Sequence, residues 1–377
     1  MTDVTKDAAG ATKDAAGATD VTEDAAGATD AAGTQPEGYK VGAVEAWIRE
    51  QVPALTPPLV WTRLEGGHSN LTYRIDDAAG KSAVIRRPPQ GELLPKAHDM
   101  GREWKIISAL GPTAVPVPQA IGFCETPDVT GAWFYIMGLV EGRPLYHADD
   151  TRDWVPEAKR GLLANSFIDV LAELHALEPD AIGLGDLGKK DSYVGRQLKT
   201  WYRSWTSSIA GADYDDSRAH ALQEYFLANL PDQEMARVVH GDYGLHNCLV
   251  GADSTIAAVV DWEISTLGDP LADLAYALNP FPDPADELEP NPEAATTPPG
   301  FPSRSAMAQR YAARTGRDLS LFPYYEGFCR WKTACIVHGV YARYMEGKKS
   351  TEGVDLETLR ERIDLSLTLA EQAVARL

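Results

Sequence analysis

The stretch from His240 to Glu263, HGDYGLHNCLVGADSTIAAVVDWE, constrains the fold more tightly than any other part of the chain. NCLV and IAAVVD are β-type runs, and GADST between them is turn chemistry, so the segment reads as a hairpin with 251–255 as its loop. If 250 pairs with 256, then 247 lies opposite 259, and Asp261 is two residues further along the same strand. Residues two apart in a strand share a face. Asn247 and Asp261 are then diagonal neighbours, with Cα atoms about 7–8 Å apart. An amide and a carboxylate offer only oxygen, which suits Mg²⁺ better than zinc or copper. Two protein ligands leave the rest of the shell to water and substrate phosphates, which is the setting of phosphoryl transfer. Asp242, five residues before Asn247, is placed to accept the proton of an attacking hydroxyl. Taken singly, each residue has a plainer role: Asp242 and Asn247 in a turn, Asp261 as a helix cap. The three together favour the metal and phosphate chemistry.

The pattern on either side divides the chain in two. Residues 41–53 form a short amphipathic helix, followed by strand signals in LVWTRLEGGHSNLTYRIDD, SAVIRRPP, PVPQAIGFC and AWFYIMGLVEG. One helix interrupts them, with Met100, Trp104, Ile107 and Leu110 along one side and Gly111 as its stop. After Gly142 the periodicity is mainly helical: 157–177, 195–209, 218–230, 270–278, 304–316, 324–347 and 356–377. A small β-rich lobe over 39–140 and a larger helical lobe over 141–377 follow, an α+β arrangement. Residues 280–302, with eight prolines and five acidic residues, have loop composition and the length of a specificity lid. Residues 1–38 repeat DAAGAT at 7–12, 14–19 and 24–29 and carry almost no large apolar side chains, so they read as a disordered tail.

A formal charge of -20 is the reverse of what a general nucleic-acid binder needs, and no stretch reaches the roughly 20 consecutive apolar residues of a membrane helix. The tail supplies -6 of that charge, from eight Asp and Glu against Lys6 and Lys13. Four scattered cysteines form no CxxC pair, and the acidic N-terminus carries no secretory pattern, so reduced thiols in the cytoplasm are expected. Oligomeric state is left open.

GGHSNLTYRI, VIRRPPQGELLPKAHDMGREW, FYIMGLVEG, LAELHAL, HGDYGLHN, VVDWE and LGDPLADLA together carry a family signature over about 58–275. The chain resembles the aminoglycoside phosphotransferase and choline kinase-like family, in the bacterial branch related to the kinase-like domains of acyl-CoA dehydrogenase fusions. That resemblance implies a two-lobed, protein-kinase-like fold using ATP and Mg²⁺ to phosphorylate a small-molecule hydroxyl acceptor. Protein kinases share the spacing, as H-R-D-x-x-x-x-N followed by a metal-binding Asp. Here it reads HGD-x-x-x-x-N with Asp261 in VVDWE, and no activation segment ending in APE follows.

By the resemblance, Ser69 and Asn70 meet the ATP phosphates, and main-chain groups from about Gly138 to Val140 meet adenine. Arg86 stands where the family has lysine, with Glu103 as its expected ion-pair partner. Asn247 and Asp261 are the metal ligands and Asp242 the base. Asp273 resembles the buried aspartate that holds the catalytic-loop backbone, while Asp269 reads as a cap or turn residue. His175 and His240 read as packed or bracing residues. The missing lysine also motivates a nucleotide-binding pseudokinase as an alternative. For the acceptor, Arg196, Lys199 and Arg203 favour an anionic hydroxyacyl-CoA if they line the cleft; otherwise their helix has an aromatic core face and a solvated basic face. Acidic Asp213, Asp215, Asp216 and 283–293 favour the amines of an aminoglycoside.

Overall fold

The computed structural model describes residues 35–64, 70–90, 99–233, 235–288, 291–351 and 353–377. The chain forms two compact units: one comprises the described residues up to Glu141 together with Ala258–Glu263, the other Gly142–Ala257 and Ile264–Leu377.

The first unit is built on α1 (Val41–Gln51), β1 (Leu59–Arg63), β2 (Leu71–Asp77), β3 (Ser82–Arg87), α2 (Met100–Leu110), β4 (Ala120–Cys124) and β5 (Phe134–Gly138). The strands make one antiparallel sheet in the order β1-β2-β3-β5-β4. Alternation along β2 buries Leu71, Tyr73 and Ile75, and these meet Ile85, Phe134, Ile136 and the apolar side of α1 in one core. Asp99 caps α2 by accepting from the Arg102 amide. Helical spacing then buries Met100, Glu103, Ile107 and Leu110. Trp104, expected on that face, is partly buried and stacks on Phe123 at 5.6 Å between ring centroids.

The second unit holds α3 (Ala148–Trp154), α4 (Glu157–Ala176), α5 (Tyr193–Ala212), α6 (Ser217–Ala228), β6 (Arg237–Val239), β7 (Cys248–Val250), β9 (Thr266–Gly268), α7 (Pro270–Leu278), α8 (Arg304–Thr315), α9 (Phe322–Met345) and α10 (Leu356–Val374); β8 (Ile256–Val259) starts in it and ends in the first unit. Helix α9 buries side chains around its whole circumference, as the central helix of a bundle must. On α5 the aromatic side wins: Trp201 and Trp205 are buried while Lys199 and Arg203 are exposed. Residues 280–302 contain no helix or strand among the described positions, yet they are fastened to their own unit. Thr151 Oγ1 donates to the Ala295 carbonyl at 2.7 Å, the Ala148 amide to the Glu293 carbonyl at 2.9 Å, and Arg304 holds Asp286. Ala294, Ala295 and Thr296 are buried, so this part of the segment packs against its unit. All four cysteines are free and buried, and no helix among the described residues is long and apolar enough to cross a membrane.

Because α9 is buried all round, its ionisable residues respond to their surroundings. His338 is fully buried, lies flat on Trp205 at 3.9 Å and exchanges a 2.9 Å hydrogen bond with Ser208, while its Nε2 has no hydrogen-bond partner. Burial pushes its pKa down to about 4, with Asp216 opposing. The unfolded chain therefore binds the proton more readily between about 6.5 and 4, and stability falls as pH drops through that window. Unfolding free energy is expected to lose about 3 kcal/mol by pH 4 from this group. Denaturant melts of His338→Phe should show a flatter dependence; an unchanged slope would exclude His338 as the source.

Candidate active site

Strand β6 runs into His240, and the loop that follows is shaped by two glycines. Gly241 has φ +85°, a left-handed conformation that favours glycine. A Cβ at Gly244 would lie 2.4 Å from His246 Cε1, so its absence lets that ring fold back toward Asp242. The loop is held from beneath by Asp273 on α7, whose carboxylate accepts from the His240 and Gly241 amides, both at 2.8 Å. His175 on α4 lies 3.2 Å from the same carboxylate and shares its other nitrogen with Tyr311 at 2.7 Å. Asp269 caps α7 through the Leu271 amide and accepts from the Tyr325 hydroxyl. His175, Asp269 and Asp273 thus take the structural places read from the sequence.

Asp242 emerges from this braced loop with about a third of its side chain exposed. Tyr276 donates to Oδ1 at 2.8 Å, Asn247 Nδ2 donates to Oδ2 at 3.2 Å, and His246 Nε2 lies 3.4 Å from Oδ2. Burial pushes the carboxyl up, but His246, Tyr276 and His240 outweigh it and hold the pKa far below the usual carboxylate range. At neutral pH the group is an anion, as a proton acceptor must be. Behind Tyr276, Lys332 Nζ sits 4.4 Å from the ring centroid and 3.5 Å from the Gly241 carbonyl. Tyr276 and Lys332 come from helices 34 and 90 residues beyond Asp242, so the loop sequence carried no signal for them. Tyr276→Phe is expected to lower kcat about tenfold, the worth of one hydrogen bond to a charged group. Wild-type kcat in steady-state assays of the folded variant would remove Tyr276 from the machinery.

The hairpin geometry differs from the expected parity. Gly251 and Thr255 close the turn as read, with the Gly251 amide donating to the Thr255 carbonyl at 2.9 Å. Asn247, however, ends a short 3-10 turn, Leu245–Asn247, ahead of β7, and Asp261 lies beyond the end of β8 with φ +64°. Strand alternation therefore does not orient either side chain. The 3-10 turn lets the Asn247 amide reach back to the Asp242 carbonyl at 3.0 Å, and the left-handed backbone re-aims Asp261. A non-glycine residue in that region stores strain of a kind that clusters at functional sites.

In the β-rich unit, Asp261 joins Arg86 and Glu103. Arg86 Nη2 contacts Asp261 Oδ1 at 3.0 Å and Nε lies 3.5 Å from Glu103 Oε2, so the expected Arg86–Glu103 pair is present. A guanidinium fork reaches both carboxylates at once, which a lysine ammonium does as a point charge without the planar geometry. Tyr135 donates to Glu103 Oε2 at 2.8 Å. Glu263 completes a group in which oxygens of Glu103, Asp261 and Glu263 lie within 4.8 Å of one another. Asn70 is buried, its amide 3.5 Å from Glu263 Oε2; Ser69 lies outside the described residues. Burial pushes the Glu103 carboxyl up to about 7, with Arg86 opposing and Asp261 reinforcing. Glu103 Oε1 is buried with no hydrogen-bond partner. An orphaned acceptor and several carboxylates around one guanidinium form an all-oxygen, electron-rich donor set, which fits Mg²⁺.

Gly138 ends β5, paired with Ala83, and its amide already donates to the Gln119 carbonyl at 2.8 Å. That donor is not available to an adenine ring. Val140, two residues on, is half-buried, and its amide has no acceptor among the described residues.

A β-rich unit pairing Arg86 with a buried Glu103 and a helical unit with a braced Asp-x-x-x-x-Asn loop define the kinase-like class of phosphotransferases. The chain belongs to the phosphotransferase enzyme family, whose model matches residues 60–315. It is 30% identical over 330 residues to acyl-CoA dehydrogenase family member 11 of Rattus norvegicus, covering 83% of this chain and 41% of the relative. It is 31% identical to acyl-CoA dehydrogenase family member 10 of Mus musculus, covering 78% and 28%. The chain therefore spans well under half the length of these relatives. Among solved structures, a candidate aminoglycoside phosphotransferase from Ralstonia eutropha is 28% identical with a TM-score of 0.74, covering 88% of this chain and 98% of that one. Macrolide 2'-phosphotransferase from Brachybacterium faecium shares the fold at 20% identity and a TM-score of 0.54, covering 86% and 97%.

Proposed function

We propose that the protein is an ATP- and Mg²⁺-dependent kinase that moves the γ-phosphate of ATP to a hydroxyl of a small molecule. The observation that carries this reading is Asp242, an ionised carboxylate fixed by Tyr276 and Asn247 on a loop braced by Asp273. Asp242 orients the acceptor hydroxyl and takes its proton as the hydroxyl oxygen bonds to the γ-phosphorus and the bond from that phosphorus to the departing ADP oxygen breaks. The proton then passes to solvent. Arg86, held by Glu103, offers its charge to the phosphates. The Val140 amide offers a donor to adenine. Asn247 and Asp261 are assigned as the protein ligands of Mg²⁺, which when bound supplies charge neutralisation to the phosphates.

For the acceptor, the relatives named as acyl-CoA dehydrogenases favour a hydroxylated acyl thioester or a related hydroxy acid. An aminoglycoside is the second reading, favoured by the 28% identical structure described as a candidate for that activity. Purified protein with Mg-ATP should be challenged in parallel with hydroxyacyl-CoA esters and kanamycin-type sugars, following acceptor-dependent ADP release. Turnover with one class assigns the acceptor. Nucleotide binding with no release for any hydroxylated compound would instead support the pseudokinase reading.

A further inference from the structure

Four acidic or basic residues of α9 are buried: Glu326, Arg330, Lys332 and His338. Three are accounted for. Glu326 accepts from Arg304 Nε and Arg376 Nη2, both at 2.6 Å; Lys332 lies against Tyr276, Trp201 and the Gly241 carbonyl; His338 bonds Ser208. Arg330 is 9% exposed and has no hydrogen-bond or ion-pair partner among the described residues. A guanidinium carries five donors and does not lose its proton, so burying one unpaired is costly.

Its surroundings suggest what is missing. Arg330 lines a small cleft with Arg304, Arg376, Asp286 and Glu326, walled on the α10 side by Leu369 and Ala373. Three guanidinium groups there face two carboxylates, and both carboxylates are already committed to Arg304 and Arg376. Asp286 is held by Arg304 Nη1 at 2.8 Å and by Nη2 as well. The cleft thus keeps one excess positive charge in a chain whose formal charge is -20. Burial lowers the Arg330 pKa to about 10, with Arg304 adding to it and Asp286 and Glu326 opposing.

We propose that this cleft is a binding site for a small tetrahedral oxyanion, with Arg330 as its principal ligand. Guanidinium groups match such anions through paired N–H donors. An occupant there accepts from Arg330 beside Arg304, whose guanidinium holds Asp286 of the proline-rich segment. The site is separate from the residues assigned to phosphoryl transfer, and the proposal does not depend on that function.

The test is thermal unfolding of the full chain at constant ionic strength, replacing chloride stepwise by sulfate or inorganic phosphate. Wild type is expected to gain about 2 °C or more at saturation by either oxyanion. Arg330→Met should start above wild type in chloride, because an unpaired buried charge has been replaced by an apolar chain of similar length, and should not respond. The two curves therefore cross. Arg330→Lys, which keeps the charge and loses the fork, should need severalfold more oxyanion for the same rise. No gain in wild type, or equal gains in wild type and Arg330→Met, would overturn the proposal. A wild-type midpoint in Arg330→Lys would do so as well.

Discussion

Replacing Asp242 with asparagine is expected to lower kcat by about 10²–10⁴-fold, the usual worth of a positioned general base, with KM for ATP nearly unchanged. Asparagine keeps an oxygen for the Tyr276 hydroxyl and nearly the same shape, so the loop should persist. What it loses is the ability to take a proton. The wild-type carboxyl stays ionised well below neutrality, so no acid limb from Asp242 should appear between about pH 5 and 8. Steady-state kinetics on the accepted substrate, with melting curves as the control for folding, decide the matter. A loss under tenfold in a fully folded variant would mean that the hydroxyl is deprotonated by another group or by none.

Local patterns carried much of this architecture because local physics set it. Alternation in LTYRIDD and helical spacing in the segment after Asp99 place their elements within a residue or two of the observed bounds. The Arg86–Glu103 pair was legible through the family resemblance, since strand alternation alone does not choose between Arg86 and Arg87. Shorter elements were not: α3, β6 and β9 run seven, three and three residues, too few for a period to register. The hairpin parity failed for a related reason. Strand rules stop at strand ends, and both Asn247 and Asp261 lie just past them, one in a 3-10 turn and one in a left-handed conformation. Tyr276 and Lys332 were out of reach because tertiary packing alone brings them to Asp242. The anchors of 280–302 were out of reach as well, because its composition says nothing of Thr151 and Arg304, which lie outside the segment.

Asp273→Ala should have the largest effect on stability, and comparison with Asp269→Ala shows why. Both carboxylates sit at the start of α7, one turn apart, and both are buried. Asp269 accepts one backbone amide as a cap and one tyrosine hydroxyl, so its loss is expected to cost about 1–2 kcal/mol. Asp273 takes the His240 and Gly241 amides of the loop before Asp242 and faces the buried ring of His175. Removing it leaves two buried N–H donors unsatisfied and opens the tether between α4, α7 and the loop. About 3–5 kcal/mol should be lost, or roughly 10 °C in Tm. Because Gly241 adjoins Asp242, the same change should also depress kcat at temperatures where the variant remains folded, whereas Asp269→Ala should leave kcat near wild type. Equal effects of the two substitutions on kcat would show that Asp273 serves the bundle alone. A selective kcat loss in Asp273→Ala would establish that the base is aimed by a carboxylate that never touches the substrate.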